Sequence, residues 1–253
     1  MNNAPRYFPR LNGSAKEAFT LIELMTVVAI VCILAALLFP SVAAVTETAH
    51  STKCLTNLRA LGAGCILYAG ENAGQLPNPN WGAGSYGWLF NGRATAHLGV
   101  PFTNATQMAK AGESRYPSGQ IWPYVRDTTV YWCPDDRPNA TQWTAREEQL
   151  SSYVMNGAVG GFGLDGGYAN NTSRIALFQG DDILLWESCD GANSPFNDGS
   201  DLPNENVIGR HRGSVNVECF DGHAEAMEYS AYVAESQKTP GRLWCNPVQS
   251  SGK

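Results

Sequence analysis

The 253-residue chain is poor in charge and lacks the common short catalytic signatures. Only 16% of its residues are charged, which is low for a cytosolic enzyme. Its net charge is −6 and no cluster of Lys and Arg occurs. A nucleic-acid partner is therefore excluded, because phosphate binding needs clustered basic residues. There is no G-x-S-x-G, no P-loop, no H-E-x-x-H and no G-x-G-x-x-G after a strand-like run. None of the seven cysteines forms a C-x-x-C pair, which removes the zinc ribbon and the thioredoxin motif. His50, His97, His211 and His223 are scattered. His211, Cys219 and His223 could gather around zinc, but their spacing fits no standard site. The expectation is a protein that is not an enzyme and needs no cofactor.

What is present is one long apolar run, Leu21 to Phe39. A membrane-spanning helix needs about 20 such residues. Arg6, Arg10 and Lys16 precede the run, with Glu17 as the only acid there. Basic residues on that side keep the N-terminus in the cytoplasm and put the remainder outside. A secretory signal peptide is the alternative, with Ser41 to Ala44 as an approximate cleavage site, but the run is too long for its apolar core. Glu23 sits inside the run. An acid at the centre of a membrane helix costs roughly 2.5–3.5 kcal/mol and is by default functional, unless it lies in the headgroup zone.

The flank reads Ala18-Phe19-Thr20-Leu21-Ile22-Glu23-Leu24. It resembles the processing site of type IV pilins and type II secretion pseudopilins. The resemblance implies cleavage between Ala18 and Phe19 by a prepilin peptidase, then N-methylation of Phe19. Glu23 would be the fifth residue of the mature chain. The family's glutamate there is thought to pair with the N-terminal amine of a neighbouring subunit, in keeping with the need of a buried charge for a charged partner. Pro40 falls where the family commonly has a proline. Ala18 departs from the usual Gly before the cut. Removing residues 1–18 takes the net charge from −6 to −8.

Beyond Pro40 the pattern turns amphipathic. Cys54, Leu58, Leu61, Cys65 and Tyr68 recur at helical spacing, while Lys53, Asn57 and Arg59 lie elsewhere. Gly74, Pro77 and Pro79 form a stop signal. One helix over about residues 19–73 is expected, roughly 80 Å long at 1.5 Å per residue. Pro40 should kink it, and Gly62, Gly64 and Gly70 each weaken it by about 1 kcal/mol relative to Ala. The spine Cys54 to Gly62, with Tyr68 to Asn72, also resembles pseudopilin-like proteins.

Residues 74–253 read as an extracytoplasmic head. Residues 75–120 read mostly as loop, with Trp81, Tyr86 and Trp88 as packing anchors. Asn104 and Asn139 open glycosylation sequons that match by chance. Thr129–Cys133 and Ile183–Glu187 read as strands, and Ile175–Phe178 as either helix or strand. Val215–Phe220, Asp221-Gly222 and His223–Tyr229 read as a hairpin with positive φ at both turn residues. Val215, Val217 and Cys219 would share one face of it. The polar stretch Asp190 to Asn206 lacks EF-hand spacing and reads as a solvated loop, with Asp198 and Asp201 as weak calcium candidates.

The six cysteines outside the membrane run allow 15 disulfide pairings, or buried free thiols. Cys54 and Cys65 on one helix would be roughly 16 Å apart and could not pair. Resemblance of Ile121 to Val125 and Cys133 to Asp135 to the pseudopilin-like group implies a Cys54–Cys133 bridge. His211, nine residues and then Asp221-Gly222 resembles the C-terminal signature of a large pilin-like group. The expected architecture is α+β and pilin-like: a long N-terminal helix, transmembrane and then amphipathic, packed on an antiparallel β-sheet head. Its domains are residues 1–18, 19–73 and 74–253. The expected function is that of a structural subunit of a type II secretion pseudopilus or type IV pilus-like filament. Its partners would be prepilin peptidase, other pilin or pseudopilin subunits and the inner membrane. The alternative is a membrane-anchored or filament-tip module that binds a secreted substrate, glycan or surface.

Overall fold

The computed structural model describes residues 19–81, 86–91, 104–162, 173–190, 198–205 and 207–253, with the side chains of 38–41, 43 and 140 left out. The leader, Ala18 included, lies outside the described residues. Among the described residues there are five α-helices: α1 (Leu21–Glu71), α2 (Ala105–Gly112), α3 (Trp122–Val125), α4 (Ala140–Ala145) and α5 (Tyr229–Ser236). The strands are β1 (Tyr153–Asn156), β2 (Ile183–Glu187), β3 (Ser200–Asp201), β4 (Ser214–Cys219) and β5 (Ala224–Glu228). Two compact units divide the chain, Met1–Val45 and Thr46–Lys253. α1 contributes to both and is continuous through Pro40. Among the described residues no helix is long and apolar enough to cross a membrane.

α1 ends two residues earlier than the glycine-proline signal predicts. Ala73, at φ 55°, takes the left-handed position, and the Gly74 amide reaches back to the Ala69 carbonyl at 2.8 Å. Together they close the last turn as a Schellman motif. Two helix glycines are explained by close approach. A Cβ on Gly64 would press on Val125, and one on Gly62 would collide with Glu218.

The sheet order is β3-β1-β2-β4-β5. It is mixed, not antiparallel as expected, because β3 runs parallel to β1 while the other pairs are antiparallel. A parallel pair needs a crossover, and the chain between β1 and β3 supplies it by way of β2. Both faces are covered. Cys54, Leu58, Leu61 and Cys65 of α1 are fully buried in one core with Tyr153, Met155, Leu184 and Leu185. Val215, Val217 and Cys219 do share a face, the opposite one, with Val154, Ile183, Trp186, Tyr232 and Leu243. Leu184 and Leu185 both enter the first core because the β2–β4 register shifts between Ile183 and Leu185.

Other expectations need correction. Thr129–Cys133 is not a strand. Asp127 accepts a hydrogen bond from the Thr129 amide at 2.8 Å and caps a 3₁₀ turn over Thr128–Tyr131, the local alternative such residues offer the backbone. Ile175–Leu177 is likewise a 3₁₀ turn. Asn57 does not lie off the buried face. It is fully enclosed, donating to the Trp132 carbonyl at 2.9 Å and to the Tyr153 hydroxyl at 3.1 Å. Among the aromatic anchors, Trp88 is buried, Trp81 is half-buried and Tyr86 is exposed. Asn104 and Asn139 are helix caps, accepting from the amides of Gln107 and Gln142.

Candidate functional site

At the start of α1, Thr20 and Glu23 bond reciprocally. Glu23 Oε2 accepts from the Thr20 amide at 2.9 Å and from its hydroxyl at 2.7 Å. The Glu23 amide donates to Thr20 Oγ1 at 3.3 Å. This is a capping box, in which Thr-x-x-Glu satisfies donors that the first helical turn leaves orphaned. The four-residue signal was present in the sequence and went unread there. Phe19, Leu21, Ile22 and Leu24 are exposed around it, an apolar surface with the one acid set into it.

In the unit Thr46–Lys253, four distant segments meet around His211. Cys54 comes from α1, Cys133 follows the 3₁₀ turn, Glu187 ends β2 and His211 precedes β4. All four are buried, and their ligand atoms lie within 4.8 Å of one another. The two sulfurs are 2.9 Å apart. His211 Nε2 is 3.4 Å from Cys133 Sγ and 2.9 Å from Glu187 Oε1. His211 Nδ1 faces Asp135 Oδ2 at 3.3 Å and Glu47 at 3.7 Å. The Asn216 amide donates to Glu187 Oε2 at 3.2 Å. Burial opposes charge on His211, but its bonds to Cys133 and Glu187 prevail and push it up to about 10. Burial likewise opposes charge on Glu187, yet His211 and Arg210 hold its carboxyl below the usual range. Burial drives the Cys54 thiol upward.

A tight turn aims His211 into this cluster. His211 and Ser214 pair across Arg212 and Gly213, at φ 51° and 81°. Two positive-φ residues are what a type I′ hairpin turn requires. That geometry was expected at Asp221-Gly222, where only Gly222 has positive φ, at 90°. Asp221 instead accepts from the His223 amide at 3.0 Å. His211 and Asp221 therefore stand at opposite ends of β4 and do not share a site. The nine intervening residues are one strand and its flanking turns.

The remaining candidates disperse. Cys219 and His223 gather with Glu225, apart from His211. Asp198 accepts from the Ser200 amide at 2.9 Å, and Asp201 from the Ser188 hydroxyl at 2.6 Å. Burial pushes Asp201 well up, toward its neutral form. Residues 191–197, most of the oxygen-rich loop, lie outside the described residues. Sequence reading also missed Arg146, which is 1% exposed and forks between Asp136 and Asp190 at 3.0 and 2.8 Å.

No curated protein and no solved structure matches the chain. The model of the prokaryotic N-terminal methylation motif matches residues 13–39. The match indicates no enzyme family. The chain thus begins with a prepilin-type leader and methylation segment, of the kind that marks type IV pilin and pseudopilin-type proteins.

Proposed function

We propose that this protein is a filament subunit of a type II secretion pseudopilus or a type IV pilus-like fibre. The observation that carries the reading is the methylation motif over residues 13–39, with Glu23 held at the start of an apolar helix. Prepilin peptidase cuts between Ala18 and Phe19, and Phe19 is methylated. The run Leu21 to Phe39 anchors the chain in the inner membrane, with its N-terminus cytoplasmic and its head outside. On extraction into the filament, Glu23 pairs with the amine of Phe19 of a neighbouring subunit. Helix packs against helix in the filament core.

The size of the unit Thr46–Lys253 favours a second role at the filament tip, where a large head binds a secreted substrate, glycan or surface. Abundance in sheared filaments separates the two roles, since a main subunit dominates the preparation and a tip module is rare in it. The test of the whole reading is intact-mass and N-terminal analysis of membrane-derived protein, with Glu23→Val assayed for filament incorporation. A mature chain starting at methylated Phe19, with assembly lost in the variant, is expected. A chain still starting at Met1, with Glu23 dispensable, overturns it.

A further inference from the structure

We infer that Cys54, Cys133, Glu187 and His211 form a structural zinc site that pins α1 to the head. The case rests on the donor set, its enclosure and its surroundings. Two sulfurs, one imidazole nitrogen and one carboxylate oxygen suit zinc, a borderline-soft ion usually held by four such ligands. The four side chains are at most 3% exposed. No substrate reaches the sulfurs, so the site is closed in the manner of structural zinc centres and unlike catalytic ones, which keep an open position.

A second, independent feature points the same way. Metal-bound imidazoles commonly turn their other ring nitrogen to a carboxylate, which fixes the tautomer and the ring orientation. Here Nε2 faces the cluster, while Nδ1 is 3.3 Å from Asp135 Oδ2. Both of these atoms are buried and lack a hydrogen-bond partner. A neutral His211 bound through Nε2 carries its proton on Nδ1 and can donate it to that oxygen. His50 Nδ1 holds the other oxygen of Asp135, at 2.7 Å. Charge is also matched. Two thiolates and a carboxylate exceed the two charges of zinc by one, and the buried guanidinium of Arg210 acts on both Cys133 and Glu187.

Binding forms two Zn–S bonds, one Zn–N bond and one Zn–O bond. It displaces to solvent the thiol protons and the proton held on Nε2. Zn–S bonds of about 2.3 Å at a tetrahedral angle set the sulfurs about 3.7 Å apart, so the ion widens the present 2.9 Å approach. A disulfide would use the same two sulfurs and leave Glu187 and His211 without this role.

The test uses the full-length chain in detergent, purified without added metal or reductant. About one zinc per chain by elemental analysis is expected, with both thiols retained by intact mass. Replacement by cobalt should give thiolate-to-metal charge-transfer absorption that Cys133→Ser abolishes. Asp135 is partly exposed, so Asp135→Asn should keep the head folded, yet weaken zinc about 10–100-fold in competition with a chromophoric chelator. A chain isolated without zinc overturns the site, whether Cys54 and Cys133 are free or joined with the loss of two hydrogens. So does zinc content or affinity that neither variant changes.

Discussion

Gly62 of α1 and Glu218 of β4 occupy one space: a Cβ on Gly62 would overlap the Glu218 carboxylate. Both oxygens of that carboxylate are buried and without a hydrogen-bond partner. Burial, with the charge of Asp221 added, pushes Glu218 well above the ordinary carboxylate range where α1 meets the sheet. Gly62→Ala should destabilise the head by about 1–3 kcal/mol through overpacking, offset by about 1 kcal/mol of helix propensity. The double variant Gly62→Ala/Glu218→Ala should recover stability. Denaturant unfolding of the four chains in the cycle checks this, and strictly additive effects would refute the contact.

Glu148 makes the head sensitive to pH. It is fully buried, and burial, opposed by the donated Leu150 amide, pushes it up to about 8. The unfolded chain releases this proton near 4.5. The folded head therefore holds a proton that the unfolded chain has lost. Stability falls as pH rises above about 4.5 and stops falling, for this group, beyond about 8. Its slope is at most about 1.4 kcal/mol per pH unit. Glu148→Gln keeps an acceptor for the amide and should remove that slope. Unfolding measured at about pH 5 and about pH 7.5 should bring the variant ahead only at the higher value; parallel losses in both chains would count against it.

Arg146 and its two carboxylates should behave as one unit. Removing the guanidinium takes its forked donors from both carboxylates and leaves Asp136 with Arg210 at 3.5 Å and the Ser152 hydroxyl at 2.7 Å. Arg146→Ala should cost about 3–5 kcal/mol. Arg146→Lys should recover only part of this, because an ammonium lacks the planar fork by which Arg146 gives each carboxylate paired bonds. Thermal unfolding of both variants reads the difference, and equal stability of Lys and Arg would show that the fork is unimportant.

The capping box allows the two roles of Glu23 to be separated. Glu23→Gln keeps the bond to the Thr20 amide, since Gln serves at that position, but removes the charge. Thr20→Val loosens the helix start by about 1 kcal/mol and leaves the charge. Filament incorporation should be lost in the first and kept in the second. The reverse result would make the cap, not the charge, the determinant of assembly.

Helical spacing foretold the buried face of α1, because Cys54, Leu58, Leu61 and Cys65 repeat over three turns. Alternation likewise foretold that Val215, Val217 and Cys219 share a face. Asn57 escaped that reading, because a polar side chain enters a core only when distant donors and acceptors await it, here Trp132 and Tyr153 from elsewhere in the chain. Of the cluster around His211, only the pairing of Cys54 with Cys133 was suggested, by resemblance, and Glu187 and His211 escaped for the same reason. Its members are separated by at least 24 residues, so no spacing rule joins them. The Thr129–Cys133 strand was overread, since apolar β-branched and aromatic residues favour a pleated surface only when a neighbouring strand exists to pair with. The turn at Arg212-Gly213 was passed over because Arg offers no compositional hint of positive φ.

The interval between His211 and Asp221 is a ruler. Side chains on a strand alternate, so one inserted residue in β4 would exchange its two faces, while two would lengthen it by about 6.6 Å. A change of length that keeps both faces of β4 therefore comes in even steps, unless a bulge absorbs the odd residue. A histidine and an aspartate with nine residues between them thus record the length of a strand and its turns rather than a shared chemistry.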